Sequence, residues 1–492
     1  MSDLPGQLPF TWLPARLSEI ADINPKVNKS EIPDDLEVSF VPMPAVQELT
    51  GHIDVSTSRQ FAEVKKGYTP FLEGDVLFAK ITPCMENGKM AVVPALKNGY
   101  GFGSTEFHVV RPYSDIDAKY IYYFVSSQRF RADAEHNMTG AVGQRRVPTL
   151  YISERCIPIA PYKEQRRIVL KIEELFSELD KGIEALTIAR EQLKVYRQSV
   201  LKHAFKGKLT EGWRNSNKGG LKGSDAIAQE IARHKGRDIV RVVAPELPDE
   251  WACVRAEDVC AFITKGSTPQ KDALHGGAGD IPFIKVYNLT TSGRLDFSVN
   301  PTFVGKKTHD GFLSRSKVYP NDVLMNIVGP PLGKVSIVPD TFAEWNINQA
   351  IAIFRTPFIR PKVLAHYLTY EGTLRALEKK SKATAGQFNL TLEICRDIPL
   401  PVMDCREQEI LEERLESTLS ALSALETEIS QGMAESHILR QSILKKAFSG
   451  QLVPQDTKDE PASVLLERIR TERDGAPAKK SRSGKNGKKN AE

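Results

Sequence analysis

The strongest constraint in this sequence is an internal duplication that covers nearly the whole chain. Three residues of the first half return in the second half, each 243 positions later. The pairs are Gly143 and Gly386, Gln165 and Gln408, and Phe205 and Phe448. A repeat of this length is a complete domain with its spacer, far longer than one solenoid unit. The sequence therefore predicts two similar halves related by an internal pseudo-twofold repeat.

Each half ends in a spacer with the heptad pattern of a coiled-coil helix, over residues 161–210 and 403–453. The first predicted seam is Ile172, Leu179, Leu186, Leu193 and Val200, with partner positions Leu175, Gly182, Ala189, Tyr196 and His203. The second is Leu415, Leu422, Ile429, Ser436 and Ile443, with Leu425 and Leu439 between. Apolar residues at this spacing need a covering helix, so we expect the two spacers to pair antiparallel. A helix of about 42 residues spans ~60 Å. The alternative is that each is an amphipathic helix buried on its own domain.

The bodies that precede the spacers, residues 1–160 and 246–402, mix short strands with turns. The predicted strands are VLFAKI (76–81), FHVVRP (107–112), VLMNIV (323–328) and AIAIFRTP (350–357), because β-branched and aromatic runs alternate with Gly and Pro. Each body also has one predicted helix, over 118–134 or 361–380. We therefore assign an α+β fold with two globular domains separated by two long antiparallel coiled-coil helices.

Two further segments complete the predicted domain organisation. Residues 211–245 begin as a polar, Gly-rich linker and continue as a short helix. Residues 454–492 resemble that arrangement, with a short helix at 461–470 followed by a basic tail that is expected to be disordered.

Composition excludes several classes of protein. No stretch approaches the ~20 consecutive apolar residues of a membrane span, and the first residues lack the basic start and apolar run of a signal peptide. The six cysteines form no CxxC pair, which favours free thiols in a cytoplasmic protein. The net charge of +5 permits nucleic-acid binding without indicating it. Either the positive charge is segregated on one face, or partners contribute to phosphate contacts.

The motifs of catalysis are absent from the sequence. There is no GxxxxGK[ST] phosphate loop, no Asn/Asp-Pro-Pro-aromatic tetrapeptide of amino-methyltransferases and no HExxH zinc motif. Three Pro-Asp pairs lack the acid-x-lysine partner of a metal-dependent nuclease. We expect neither a catalytic residue nor a metal site nor a cofactor in this chain.

The ordered, duplicated set of motifs resembles the specificity subunits of type I restriction–modification enzymes over essentially the whole chain. The motifs are EQRRI (164–168) and EQEI (407–410) after Ile-Pro-rich strands, and LKHAFKGKLTEGWR (201–214) and ILKKAFSGQL (443–452) at the helix ends. The PASVLLERIRTER segment and the lysine-rich tail are similar to one subgroup of the family.

The resemblance implies a non-catalytic subunit with two target recognition domains, each reading one half of a split, asymmetric double-stranded DNA site. It also implies two modification subunits and two restriction subunits as partners, with S-adenosylmethionine, ATP and Mg²⁺ on those partners. The reaction that it directs would be N6-adenine methylation or restriction. A fixed helical spacer would set half-sites near one helical turn apart, ~34 Å.

Base reading needs polar or basic side chains on loops, and two loops in each body supply them. The candidates in the first body are Lys80, Asn87, Lys89, Gln144, Arg145 and Arg146. Those in the second body are Asn326, Lys334, Lys382, Thr384, Gln387 and Asn389. For each of them, simple solvation is the alternative.

The helix ends around Phe205 and Phe448 are alike, which suggests equivalent docking surfaces for two identical subunits. Packing of these helix ends inside the coil is an equal alternative. For the whole chain, two other functions stay open: a coiled-coil adaptor that never contacts DNA and, less favoured, a fused DNA methyltransferase or endonuclease.

Overall fold

The computed structural model describes residues 8–141, 143–244, 246–290, 293–329, 331–385 and 389–475. The helices are α1 (Leu17–Ile20), α2 (Phe61–Val64), α3 (Ala118–Ser126), α4 (Gln128–His136), α5 (Thr149–Glu154), α6 (Tyr162–Phe205), α7 (Glu211–Asn217), α8 (Ser224–Lys235), α9 (Ala256–Val259), α10 (Lys306–Asp310), α11 (Pro361–Thr369), α12 (Glu371–Ala385), α13 (Leu392–Arg396), α14 (Cys405–Ala447) and α15 (Ala462–Gly475). The first strands are β1 (Leu13–Arg16), β2 (Ala21–Ile23), β3 (Glu37–Val41), β4 (Ser58–Gln60), β5 (Thr69–Phe71), β6 (Val76–Ala79), β7 (Met90–Val92), β8 (Gly101–Gly103), β9 (Phe107–Pro112) and β10 (Cys156–Ile159). The others are β11 (Ala252–Arg255), β12 (Phe262–Lys265), β13 (Leu274–Gly276), β14 (Ile281–Ile284), β15 (Gly293–Arg294), β16 (Thr302–Val304), β17 (Lys317–Val318), β18 (Val323–Asn326), β19 (Val335–Ile337), β20 (Trp345–Ile347), β21 (Ile351–Arg355) and β22 (Pro399–Val402).

The chain divides into two units that do not follow chain order. Unit 1 contains residues 1–186 and 431–492, whereas unit 2 contains residues 187–430. Each unit therefore holds one recognition body, the start of the coil helix that follows this body, and the far end of the other coil helix.

Unit 1 is built on three small sheets with helices packed against them. Their strand orders are β1-β10, β2-β9-β6-β7 and β4-β3-β8-β5. Strand β6 pairs antiparallel with both neighbours, and β3 runs parallel to β8. The four residues of β6 are all buried, since the strand lies in the middle of its sheet.

Unit 2 repeats this arrangement with slightly larger sheets. The orders are β11-β22, β12-β21-β18-β19-β15 and β13-β16-β14-β20-β17. Strand β18 is buried like β6, and the parallel pair of β14 and β20 corresponds to that of β3 and β8. The α+β fold with an internal repeat is confirmed in both units.

The four predicted strands are present as β6, β9, β18 and β21, but each predicted helix is two helices. The first breaks between α3 and α4 at Ser127, and the second between α11 and α12 at Tyr370. Ser127 has an extended backbone, and its side-chain oxygen accepts the N–H of Phe130 to begin α4. The break was not predicted because the residues on both sides of it favour a helix.

The two coil helices run antiparallel where they meet inside unit 1. Asp180 of α6 forms an ion pair with Arg440 of α14. Six residues later in α6, Leu186 lies beside Gly432, which precedes Arg440 by eight residues. In unit 2, the segment just after α6 contacts the start of α14, where Arg414 donates to the carbonyl of Leu209 at 2.5 Å.

The predicted seam is confirmed, but five of the seven predicted partner positions are exposed. All ten residues of the two seams are buried or half-buried, whereas Gly182, Tyr196, His203, Leu425 and Leu439 are exposed, and Leu175 and Ala189 are only half-buried. The second row lies one residue later: Phe176, Ile183, Arg190, Arg197 and Ala204 in α6, and Leu419, Glu426, Met433, Arg440 and Ala447 in α14. Residues three and four positions after a seam residue both lie on the same face of the helix. The hydrophobic pattern selected the third position because several residues at the fourth position are polar.

One glutamine in each unit joins the start of a coil helix to its recognition body. The side-chain oxygen of Gln165 accepts the N–H of Asp117 at 3.1 Å, just before α3. That of Gln408 accepts the N–H of Arg360 at 2.8 Å, just before α11. Both side chains are buried, and both amide nitrogens donate to backbone carbonyls. The repeated Glu-Gln motif is therefore a structural joint.

Among the described residues, every helix is either too short or too polar to form a transmembrane span.

Candidate DNA interface and helix junctions

The two predicted reading loops of unit 1 lie against each other. Thr82 donates its N–H to the carbonyl of Arg145 at 3.0 Å, and Val147 donates to the carbonyl of Lys80 at 2.8 Å. The first loop follows β6, and the second loop precedes α5. The sheet and the helix therefore fix the positions of the two loops. The two loops of the first body thus meet in space although ~60 residues separate them along the chain.

The equivalent loops of unit 2 are joined in the same way. Val328 and Asn389 form an antiparallel bridge, and Leu390 donates its N–H to the carbonyl of Ile327 at 2.8 Å. The hydroxyl of Ser381 donates to the carbonyl of Asn389 at 3.1 Å. Gln387 and the side chains of Lys382 and Thr384 lie outside the described residues, so these three candidates stay predictions.

Both candidate arginines of unit 1 are held by carboxylates. Arg146 makes two bonds to Glu106, at 2.9 and 2.8 Å. The hydrogen bond from Arg146 lowers the pKa of Glu106. Arg145 lies 3.9 Å from Glu86 and 3.5 Å from Glu135. A DNA phosphate would therefore compete with acids that already orient these guanidinium groups.

The remaining candidates of unit 1 differ in how far they are engaged. The amide of Asn87 donates to Glu48 at 2.9 Å, and the ammonium of Lys89 donates to the carbonyl of Val46 at 3.2 Å. Gln144 is exposed and Lys80 is half-buried, and within the described part of the chain neither side chain has a hydrogen bond or an ion pair. Gln144 and Lys80 are therefore the candidates most available to a ligand.

Asn326 serves a different purpose from the predicted one. It is 2% exposed, its amide nitrogen donates to the carbonyl of Pro331, and its oxygen accepts the N–H of Lys334, both at 2.9 Å. Because both ends of the amide are used inside the loop, we assign Asn326 to shaping the loop rather than to reading a base. Lys334 is half-buried, and its side chain has no ion pair among the described residues.

A basic groove beside Lys80 escaped the sequence analysis. It has a volume of about 590 Å³ and is lined by Lys26, Lys29, Lys80 and Tyr68, together with uncharged residues. Lys29 also donates to a backbone carbonyl at 2.6 Å. Lys26 and Lys80 lie 54 positions apart in the sequence and follow strands β2 and β6, respectively. The sheet brings them together because both of these strands pair with β9. The groove extends the polar loop surface with positive charge, which suits a phosphate backbone.

The comparison with known proteins matches this duplicated architecture. A family model described as "Type I restriction modification DNA specificity domain" matches residues 9–187 and 248–433. The chain belongs to this family. It is 43% identical over 177 residues to the "Type I restriction enzyme EcoAI specificity subunit" of Escherichia coli, an alignment that covers 36% of this chain and only 30% of that relative. A longer alignment, 355 residues at 26% identity, covers 70% of both this chain and the "Type I restriction enzyme EcoBI specificity subunit" of Escherichia coli.

Two solved structures share the fold of this specificity-family chain. One is described as "Structural basis underlying complex assembly and conformational transition of the type I R-M system"; it has a TM-score of 0.71 at 20% identity and covers 91% of this chain and 100% of its own. The "HsdS subunit from Thermoanaerobacter tengcongensis" has a TM-score of 0.55 at 21% identity, with coverage of 92% and 100%. At these identities the likeness supports the fold alone.

The two phenylalanines predicted as docking surfaces of the specificity-family chain are buried inside their own units. Phe448 is 5% exposed, with ring centroids 5.1 Å from Tyr120 and 5.3 Å from Phe124. Phe205 is 3% exposed and lies 5.0 Å from the ring of Tyr367. The alternative of packing at the helix ends describes both residues, because each ring packs against aromatic side chains of its own unit.

A buried carboxylate begins each coil helix of this family member. In unit 1, Glu164 accepts the indole N–H of Trp12 at 3.0 Å and the amide N–H of Gln455 at 2.6 Å. Burial raises the pKa of Glu164, and the two hydrogen bonds act against that rise. In this way Glu164 ties the first and last parts of unit 1 to the start of α6.

The equivalent carboxylate in unit 2, Glu407, has a cation as its partner. Arg214 and the hydroxyl of Thr210 both donate to Glu407 at 2.7 Å. The guanidinium also lies 5.7 Å from the ring centre of Trp251, whose indole nitrogen is buried without a hydrogen-bond partner among the described residues. Arg214 thus replaces the indole donor that its counterpart uses in unit 1.

One group of side chains in unit 2 has the composition of a metal site but the structure of an ion-pair network. His309, Asp310 and Glu344 bring their ligand atoms within 4.8 Å of one another. The ammonium of Lys317 lies 2.6 Å from Asp310 and 3.7 Å from Glu344. The buried ring of His309 bonds to Asn346 at 2.5 Å and to Glu344 at 2.9 Å. Lys317 supplies the positive charge that these carboxylates need, so the group is explained as part of the fold.

Proposed function

We propose that this chain is the DNA-sequence-specificity component of a type I restriction–modification enzyme and performs no catalysis itself. Each recognition body reads one half of a bipartite, asymmetric site on double-stranded DNA. The bases that separate the half-sites are fixed in number but free in sequence, because a helical spacer of constant length connects the readers. Partner subunits then methylate adenine at N6 or cleave the DNA.

The observation that carries this proposal is the repetition of one loop construction in two units whose surfaces differ. In both units, two polar loops are joined by backbone hydrogen bonds at the same place in the fold. The scaffold residues agree between the units, as Gln165 and Gln408 show, whereas most loop residues differ, apart from the repeated pairs Gly143-Gln144 and Gly386-Gln387. A common frame with different polar loops suits two readers of different sequences.

The same proposal assigns the remaining chemistry to partners. Two modification subunits would carry S-adenosylmethionine, and two restriction subunits would carry ATP and Mg²⁺. Family membership and the repeat support attachment of one modification subunit to each unit, since a pseudo-twofold chain offers each partner a similar backbone frame. The chain is expected to work in the cytoplasm, because its target DNA is there and because free cysteine thiols are typical of that compartment.

The experiment that tests this function is methylome sequencing of cells that express the full chain with its modification subunit. We expect N6-methyladenine at one bipartite motif, and its loss when this chain is omitted. Replacing residues 1–160 with the first body of a relative should change one half-site and preserve the other. If the complex assembles and no motif is methylated, the adaptor function gains over DNA reading. Methylation by this chain alone would indicate a fused methyltransferase.

A further inference from the structure

Unit 1 contains an apolar cavity at the end of its coil. The cavity has a volume of about 450 Å³, and its apolar walls include Phe124, Phe130, Leu444 and Phe448. Phe124 and Phe448 meet edge to face with ring centroids 5.3 Å apart. Cys156, an exposed free thiol, also lines the cavity. A space of this size with aromatic walls suits a ring more than a polar ligand.

The same place can be located in unit 2 by an exact structural correspondence. The N–H of Gln128, the first residue of α4, donates to the side-chain oxygen of Gln441 at 2.8 Å. The N–H of Glu371, the first residue of α12, donates to that of Gln198 at 2.9 Å. Both members of one contact lie 243 positions from their counterparts in the other. The residue before each helix is therefore also equivalent.

At that preceding position, unit 2 has Tyr370 where unit 1 has Ser127. The ring of Tyr370 lies 6.3 Å from the ring of Phe205, which is the counterpart of Phe448. Gly372 makes room for it, because a Cβ there would come within 2.5 Å of the tyrosine ring. Unit 2 thus covers its buried phenylalanine with an aromatic ring of its own, and the small Ser127 leaves this place open in unit 1.

We propose that the cavity of unit 1 receives a tyrosine or phenylalanine side chain from the modification subunit. This inference rests on the proposed function, because it takes that subunit as the partner. The partner's ring occupies the position that Tyr370 fills in unit 2, against Phe448. Arg129 and Lys445 also line the cavity, so a phenol oxygen or an acidic residue beside the incoming ring meets positive charge.

The first test uses the unmodified full chain, with Cys156 as a reporter. The rate of Cys156 alkylation by a maleimide is measured by mass spectrometry, with and without the modification subunit. The exposed thiol of Cys405 in unit 2 reports general reactivity. We expect binding of the subunit to slow alkylation of Cys156 by about tenfold or more, since a buried anchor excludes water and reagent. Unchanged reactivity of Cys156 in the assembled complex would overturn the proposal.

The second test compares Ser127→Tyr with Ser127→Ala. Both remove the hydroxyl that caps α4 and donates to the carbonyl of Phe124, but only tyrosine fills the cavity. Ser127→Tyr should raise the Kd for the modification subunit about tenfold or more, while Ser127→Ala keeps it within about twofold. Equal effects of the two variants would show that the cap, not the cavity, matters, and would reject the inference.

A third measurement separates a side chain from a free aromatic compound. The probe is p-cresol, the side-chain analogue of tyrosine, which should slow alkylation of Cys156 in the free chain but not in Ser127→Tyr. Protection by p-cresol without protection by the subunit would identify a small-molecule site and refute docking. If the unmodified chain binds no modification subunit, the proposed function itself fails. If the unmodified chain and Ser127→Tyr bind the modification subunit with the same Kd, only this inference fails.

Discussion

The two units place a buried glutamate at the same point and stabilise it by different chemistry. Glu164 of unit 1 is bound by neutral donors from Trp12 and Gln455, while Glu407 of unit 2 is paired with Arg214. A neutral donor gives a buried carboxylate a hydrogen bond only, whereas a guanidinium supplies both hydrogen bonds and the opposite charge. The position of the carboxylate has therefore been kept while its partner has changed.

This difference shows which parts of a duplicated fold are interchangeable. The backbone joints are the same in both units, because Gln165 and Gln408 bond to equivalent carbonyl and N–H groups. The side chains that bond to the buried glutamate differ between the units, because different donors can reach the same carboxylate. The comparison predicts equal effects of mutations at the joints and unequal effects at the carboxylates.

The largest effect is expected when the cation of unit 2 is removed. Arg214→Leu leaves Glu407 buried with only Thr210 as a donor and should lower the free energy of unfolding by about 3–5 kcal/mol. The matched change in unit 1, Gln455→Leu, leaves the indole bond of Trp12 in place and should cost about 1–3 kcal/mol. Urea denaturation followed by circular dichroism measures both.

The control for this prediction neutralises the carboxylate as well. The double variant Arg214→Leu/Glu407→Gln should recover part of the lost stability, because no unpaired charge is then buried. A double variant as unstable as Arg214→Leu would mean that packing of the guanidinium, not its charge, stabilises unit 2.

Equal losses are expected at two glycines that follow the coil helices. Gly450 and Gly207 have φ of +71° and +69°, and a Cβ on either would lie 2.2 Å from Pro9 or Pro248, respectively. Substitution by alanine should cost about 2–4 kcal/mol at each site, through the left-handed backbone and the clash together. Gly99→Ala, with φ +78° and open space around the new Cβ, is the control and should cost about 1–2 kcal/mol. Thermal denaturation that ranks Gly99→Ala with the other two would contradict the clash.

A difference in kind is expected between two loop residues of unit 1. Gln144→Ala should lose about 1–3 kcal/mol of binding at one base position of one half-site, as expected for a base-reading side chain. Lys80→Ala should instead weaken all sequences alike and reduce the salt slope by about one, as expected for a phosphate contact. Binding of the assembled complex to DNA duplexes with single-base changes measures both. Altered preference in both half-sites would oppose the assignment of one half-site to each unit.

The smallest effect concerns pH. Burial raises the pKa of Glu164 above the ordinary glutamate value, so the folded chain binds this proton more tightly than the unfolded chain does. The stabilisation from Glu164 is therefore complete at pH values below its unfolded pKa and is lost as pH rises through the folded pKa. Relative to Glu164→Gln, the unmodified chain should lose stability in urea denaturation as the pH rises from below the ordinary glutamate pKa to neutrality. A relative gain over that range would reverse the sign and disprove burial as the dominant cause.

The fold was largely predictable because repeats and periodicity are local or evenly spaced signals. The four predicted strands and both seams follow from such patterns. The second row of the coil could not be predicted in this way. Tyr196 and Leu439 are apolar yet exposed, whereas the polar residues Arg190 and Glu426 lie in that row. Long charged side chains can cover an interface with their stems, which a hydrophobic pattern does not register.

The sequence showed which loops carry polar and basic side chains but not what those side chains contact, and their role in DNA reading stays a prediction. The two loops of each unit lie together, a contact between distant segments that no sequence pattern predicted. The role of Asn326 depends on the carbonyl of Pro331 and the N–H of Lys334, which only the folded loop brings together. The groove beside Lys26 depends on a neighbouring strand far away in the sequence. Short-range sequence patterns contain neither relation.

The division of the chain also sets an order for its synthesis. Unit 2 is a continuous segment, residues 187–430, and all of it has been translated before residue 431 is added. Unit 1 combines residues that precede unit 2 with residues that follow it, so Tyr120 and Phe124 cannot contact Phe448 until the whole of unit 2 has been translated. The body that is made first is therefore the one completed last. During that interval its apolar surface is open to chaperones or to premature association on the ribosome.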